Sequence, residues 1–118
     1  MLAAFVAGCA AQTTPERSAE TITRAIYAND YDRTVADFDD ATKRSVTRGD
    51  VGALSDRMHA LGDLQSVTER SGDADSGRYR FDAKFTGGAM LVELRVDPSG
   101  RIGAYRISPQ SAPASPSP

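Results

Sequence analysis

The sequence predicts an α+β domain in which three N-terminal helices pack on a four-stranded antiparallel sheet. Three observations predict it. Period-two alternation of apolar and polar residues runs through 78–86 and 90–97 and continues in 101–107, which marks strands with one buried and one wet face. Before residue 63 the apolar residues recur instead at three- and four-residue spacing, the period of an amphipathic helix. Short stretches rich in turn formers separate the strands, so each can pair with the next as a meander.

The first helix begins at Thr14, whose hydroxyl can cap it. Pro15 suits the first helical position, because its missing N–H has no helical partner there. Glu16 faces the positive end of the helix dipole. Ala19, Ile22 and Ile26 make the buried stripe with Ala25 beside it, and Asn29-Asp30 ends the helix. Asp30 or Asp32 caps a second helix with Tyr31, Val35 and Phe38 at i, i+4 and i+7. It is expected to continue to Val46 after a bend at Asp39-Asp40. Thr47 with Asp50 three residues on gives the third helix a capping box, with Asp in place of Glu. Its stripe is Val51, Leu54, Met58 and Leu61, and Gly62 stands where a left-handed C-cap belongs.

The first strand spans Leu64 to Arg70, and Ser71 to Gly77 is a loop. In the second strand Tyr79, Phe81, Ala83 and Phe85 share one face, with Arg78, Arg80, Asp82 and Lys84 on the other. In the third, Met90, Val92, Leu94 and Val96 oppose Leu91, Glu93, Arg95 and Asp97. Turn chemistry and charge set the register between them. A Gly88-Ala89 turn of type II′ places Lys84 opposite Glu93, Asp82 opposite Arg95 and Arg80 opposite Asp97. A Gly87-Gly88 turn places Arg80 against Arg95 and Asp82 against Glu93. Each such pair is worth ~0.2–1 kcal/mol, so the first register is preferred. Asp97-Pro98-Ser99-Gly100 is a type I turn with Gly100 at the following left-handed position. It leads to the last strand, in which Ile102 pairs with Val96, Ala104 with Leu94 and Arg106 with Val92. Residues 109–118 form a Pro/Ser/Ala tail with nothing to bury, expected to be disordered.

The chain has 118 residues, which fits one domain of ordinary globular composition. Its 14 basic and 16 acidic residues are scattered without a basic block, which argues against a nucleic-acid partner. One cysteine and one histidine leave no internal disulfide and no Cys- or His-built metal site, so no metal or cofactor is expected. No stretch approaches the ~20 apolar residues of a membrane span.

The N-terminus supplies the localisation. Val6-Ala7-Gly8-Cys9 resembles the bacterial lipobox: an aliphatic residue, two small residues, then the cysteine that receives lipid. Residues 1–8 are then the remnant of a lipoprotein signal peptide and 9–14 a polar linker. The apolar stretch Leu2 to Ala7 is shorter than the ~7–15 residues of a signal core and has no Lys or Arg before it, so a start a few codons upstream is expected. Lipidated Cys9 carries two or three acyl chains in such proteins, enough for stable anchoring where one chain is marginal. By the sorting rule of Gram-negative lipoproteins, Ala10 after the cysteine favours the outer membrane, facing the periplasm.

Three further stretches carry a resemblance. Ala28-Asn29-Asp30-Tyr31-Asp32 with Val35 and Phe38-Asp39, then Leu61-Gly62-Asp63-Leu64-Gln65-Ser66-Val67, then Val96-Asp97-Pro98-Ser99-Gly100-Arg101-Ile102 resemble the helix link, the helix-to-strand junction and the final hairpin of a nuclear-transport-factor-2-like (cystatin-like) cone. Within that fold the chain is similar to a bacterial family of unknown function, small secreted or lipid-anchored domains. The resemblance covers roughly residues 15–108, implies a pocket between sheet and helices, and carries over no catalytic residue.

Candidate sites follow from that geometry. Arg106, projecting from the buried face near its open end, is positioned to bind an anion through its planar fork. His59, with Asp56 and Asp63 about one turn away on either side, has the makings of a general base. Tyr27 and Tyr31 with Asp37 echo the acid–base sets of isomerases on this fold, a comparison of fold alone. Leu91, Tyr105 and Ile107 are expected on the outer sheet face as an apolar interface patch. The leading expectation is a lipid-anchored envelope domain that binds a partner protein or small ligand without catalysis. The alternatives are a pocket enzyme of the isomerase or dehydratase type, marked by an interior titrating group, and a homodimeric module built on the outer face.

Overall fold

The structure is a computed structural model that describes residues 14–110. The signal remnant, Cys9 and residues 111–118 of the Pro/Ser/Ala tail lie outside the described residues, whereas Pro109, expected in the disordered tail, pairs with Met90 at the end of the last strand. Four helical segments precede four strands: α1 (Pro15–Tyr27), α2 (Tyr31–Thr34), α3 (Asp40–Ser45), α4 (Arg48–Ala60), then β1 (Leu64–Asp73), β2 (Arg78–Phe85), β3 (Gly88–Val96) and β4 (Ile102–Pro109). The sheet is antiparallel in the order β1-β2-β3-β4. The fold is therefore α+β, as the periodicities predict.

Local chemistry sets the ends of the long helices. The Thr14 side chain accepts from the Arg17 N–H, and Thr47 and Asp50 close a reciprocal capping box. Asn29 turns the chain out of α1 with φ of 58°, a conformation its short polar side chain tolerates. Gly62 does the same after α4 with φ of 104°. The predicted second helix differs. It lasts one turn, capped by Asp30, and Phe38 leaves helical geometry to make a parallel bridge to Ile102. The Asp39 N–H donates to the Ile102 carbonyl at 2.9 Å and the Ile102 N–H to the Asp37 carbonyl at 2.9 Å. Pairing with the edge of β4 thus displaces the helical hydrogen bonds there. Asp39 then caps α3, and the Thr42 backbone N–H is the first cause holding its carboxyl below the ordinary carboxylate value.

The helices cover one sheet face. Ala19, Ile22 and Ile26 of α1 meet Phe81, Ala83, Phe85, Met90, Val92 and Leu94 of the sheet, with Phe38, Val51, Met58, Ile102 and Ile107 closing the core. The three buried polar side chains are satisfied within it: Thr23 by the Tyr105 hydroxyl at 2.7 Å, Thr34 by the Asp30 carbonyl at 2.7 Å and Ser55 by the Tyr27 carbonyl at 3.0 Å.

Two registers differ from the sequence expectation. The β2–β3 turn is Thr86-Gly87, not the expected Gly88-Ala89 and not Gly87-Gly88. It opposes Arg80 with Glu93 and Asp82 with Leu91, and it sets Arg78 directly against Arg95. Docking decides it. The Gly87 N–H donates to the Leu61 carbonyl at 2.6 Å, the Thr86 N–H to the Asp63 carbonyl at 3.0 Å, and the Asp63 N–H to the Thr86 hydroxyl at 3.0 Å. Three such bonds, about 1 kcal/mol each, outweigh the exposed charge pairs. The second difference is a bulge. Val96 pairs with Ile102 as expected, but Gly103 is then an extra residue, so Arg95 pairs with Ala104, Leu94 with Tyr105, Glu93 with Arg106 and Val92 with Ile107. Gly103 is held by its carbonyl, which accepts from the Thr42 hydroxyl and the Arg95 guanidinium, each at 3.0 Å. A Cβ at Gly103 would overlap the Asp97 carboxylate and crowd the Arg95 guanidinium, so a larger residue there would displace that ion pair. One extra residue exchanges the faces of everything after it.

Candidate functional site: an arginine-lined groove on the outer sheet face

The bulge relocates three of the residues singled out in the sequence. Tyr105 and Ile107 turn inward, where Ile107 joins the core and the Tyr105 hydroxyl meets Thr23. Arg106 turns outward and is exposed. The expected outer patch of Leu91, Tyr105 and Ile107 is therefore not assembled, and only Leu91 stands on the outer face, half-buried. Arg106 likewise does not project from the buried face.

Tyr27 and His59 do come together. Their rings stack with centroids 4.0 Å apart, and the Tyr27 hydroxyl donates to the Gly62 carbonyl at 3.2 Å. The His59 Nδ1 lies 2.8 Å from the Ser55 carbonyl, one turn back on α4. A carbonyl only accepts, so Nδ1 carries the proton there, and neither Asp56 nor Asp63 bonds the ring as the expected orienter. The pair fastens the end of α1 to the end of α4. Tyr31 is likewise occupied, its hydroxyl donating to the Val46 carbonyl at 3.3 Å, and Asp37 is exposed.

The interior between helices and sheet holds the apolar core, and no buried side-chain polar atom among the described residues lacks a partner. Its one strongly shifted group is Tyr105, whose hydroxyl burial pushes well above the ordinary value of 10, the Thr23 hydrogen bond offsetting only part of the rise. Below pH 10 both folded and unfolded states keep this proton. Above it the unfolded chain releases the proton first, so stability falls as pH rises. Urea titrations of the wild type and Tyr105→Phe check this. The wild type should lose stability relative to the variant as pH climbs past 10, while at pH 7 the variant should be less stable by about 1 kcal/mol. Parallel curves above pH 10 would contradict the placement.

Two clefts stand out on the described surface. One, of about 830 Å³, sits at the rim beside the β2–β3 turn. Arg70 bonds Asp82 there at 3.0 Å, and Gln110 bridges Arg70 and Asp82 at 2.7 and 3.0 Å, which leaves Lys84 as its one charged side chain without a partner among the described residues. The other, of about 640 Å³, lies on the outer face and is lined by Arg78 and Arg80 of β2, Glu93 and Arg95 of β3, Ala104 and Arg106 of β4, and the end of β1 from Ser71 to Asp73. Here two guanidiniums are left unengaged. Arg80 reaches Glu93 at 3.3 Å, and Arg95 is fixed by Asp97 and the Gly103 carbonyl, each at 3.0 Å. Arg78 and Arg106 make no ion pair and no side-chain hydrogen bond among the described residues. Charge is also divided between the layers. Residues before Leu64 hold seven basic against ten acidic groups, and those from Leu64 on hold seven against six. The basic excess of the sheet gathers in this groove.

Sequence reasoning placed Arg106 in an anion site on the wrong face and missed Arg78, Arg80 and Arg95. The available signal was the even spacing of charged residues on one strand face. Compared with known proteins, the chain matches no family model, no curated protein and no solved structure.

Proposed function

We propose that the chain is a lipid-anchored bacterial envelope domain that binds a partner protein or small ligand through the outer face of its sheet, without catalysis. One observation carries the binding reading: among the described residues every buried polar side chain is satisfied, whereas the outer groove presents Arg78 and Arg106 unengaged on paired strands. The anchor reading rests on the Val6-Ala7-Gly8-Cys9 motif and the polar linker after it. Among the described residues no helix is long and apolar enough to cross a membrane. With two or three acyl chains on Cys9, the domain is held at the outer membrane facing the periplasm. The α+β order of helices and meander sheet is in keeping with a nuclear-transport-factor-2-like cone.

The isomerase alternative has in its favour the raised pKa of Tyr105, but that hydroxyl is bound to Thr23 and Tyr105 lines neither of the two clefts described above. The homodimer alternative loses the apolar patch on which it was based.

Intact-mass measurement of membrane-fraction protein from a bacterial host, with a start codon and signal core supplied upstream, tests the anchor. Cleavage before Cys9 with added acyl mass, absent in Cys9→Ala, is the expected result. An unmodified full-length product would overturn it.

A further inference from the structure

Resting on the proposal that the outer face is the binding surface, we infer that its groove recognises a phosphate group. Arg78 and Arg95 are directly opposed on β2 and β3, an arrangement that costs stability when nothing lies between them. Directly paired positions on neighbouring strands lie about 5 Å apart, so one anion can touch both. The chain departs from good charge pairing at this one cross-strand position, and such departures gather at working sites. Arg95 is already clamped by Asp97 and the Gly103 carbonyl, so it supplies fixed charge. Arg78 and Arg106 keep their forks free, and Arg80 uses only part of its own on Glu93.

Fork geometry selects the ligand class. Four guanidiniums line the groove with Glu93 and Asp73, and Asp97 pairs Arg95 at its edge, leaving about one positive charge uncompensated. A phosphate monoester offers three acceptor oxygens and about −1.5 to −2 charge, against two oxygens and one charge for a carboxylate. Planar guanidinium forks match those oxygens bidentately. The Gly103 bulge is what brings Arg106 to this face, so fold and groove share one determinant.

The phosphate can belong to a free molecule or to a lipid headgroup, and one experiment separates them. The full chain, purified as Cys9→Ala so that it carries no lipid, is titrated with inorganic pyrophosphate. In parallel it is sedimented with vesicles of phosphatidylglycerol and phosphatidylcholine, or of phosphatidylcholine alone. The same is done for Arg78→Gln/Arg106→Gln and for Arg57→Gln, an exposed arginine of α4 remote from the groove. Saturable pyrophosphate binding, weakened about tenfold or more in the double variant and unchanged in Arg57→Gln, supports a free phosphate-bearing ligand. Binding only to the anionic vesicles with the same dependence on Arg78 and Arg106 supports a headgroup. The double variant should melt close to its parent, since it removes the Arg78–Arg95 like-charge opposition together with the opposite-charge positions Arg78–Asp73 and Arg106–Glu93. Lysine at both positions should recover part of the binding by restoring charge without the fork. No saturable binding to either probe, or an equal loss in Arg57→Gln, overturns the inference. The acyl-mass experiment judges the anchor separately, so this failure and that one are told apart.

Discussion

Phe81→Ala is expected to cost about 3–5 kcal/mol and to leave much of the chain unfolded in mild urea. Phe81 is fully buried in the middle of β2, where it pairs with Val92 and lies in the single core beneath α1. Removing the ring leaves a cavity that α1 cannot fill, because α1 is held at its C-terminal end by the Tyr27–His59 stack and the Tyr27–Gly62 hydrogen bond. A domain of this size has about 5–15 kcal/mol in total, toward the low end. Lys84→Ala, on the same strand but the exposed face, should change stability by less than about 0.5 kcal/mol. Urea unfolding followed by circular dichroism reads both. Similar midpoints for the two variants would contradict the face assignment of β2.

Gly62→Ala should rank next, at about 2–4 kcal/mol, from positive-φ strain plus a lost hydrogen bond. With φ of 104° at Gly62, a Cβ there would overlap the Thr86 hydroxyl, the group that accepts from the Asp63 N–H. That contact is one of the three bonds seating the β2–β3 turn on the end of α4. Gly100 is the control. Its φ is 89°, yet a Cβ there meets nothing within 4 Å, so Gly100→Ala carries strain alone, about 1 kcal/mol. The difference between the two variants measures the turn docking. Equal losses would mean that the turn is not seated there.

The parts of this fold that were legible in the sequence are those fixed by near neighbours. Thr14 and Pro15, the Thr47–Asp50 box, Gly62 and the Asp97–Gly100 turn all act within a few residues, and each appears where the pattern predicts. Strand faces were equally legible in β2 and β3, where alternation is unbroken. Phe38 was misread because its partner Ile102 is remote in the chain, and a bridge to a sheet edge overrode a helical period. The β2–β3 register was misread for a similar reason, since bonds from Leu61 and Asp63 outweigh the cross-strand charges used to choose it. Gly103 gave a faint signal, as a glycine within a strand often marks a bulge, but nothing local showed which way the later residues would turn.

The groove was hidden by its construction. Arg78, Arg80, Arg95 and Arg106 are each followed by an apolar residue and never form a run. A chain with net charge −2 and no basic block shows no anion site along its length. The sheet gathers the four by pairing β2 with β3 and β3 with β4, and the last of them arrives through the bulge.

That bulge is the point on which the placement of both Tyr105 and Arg106 depends, so the most direct measurement is of cross-strand proton contacts between β3 and β4 by isotope-edited nuclear Overhauser spectroscopy. Backbone contacts pairing Leu94 with Tyr105, Glu93 with Arg106 and Val92 with Ile107 are the predicted result. Contacts pairing Leu94 with Ala104 and Val92 with Arg106 would mean an unbroken strand. Arg106 would then face the core and Tyr105 the solvent, and the groove on the outer sheet face would lose its fourth arginine.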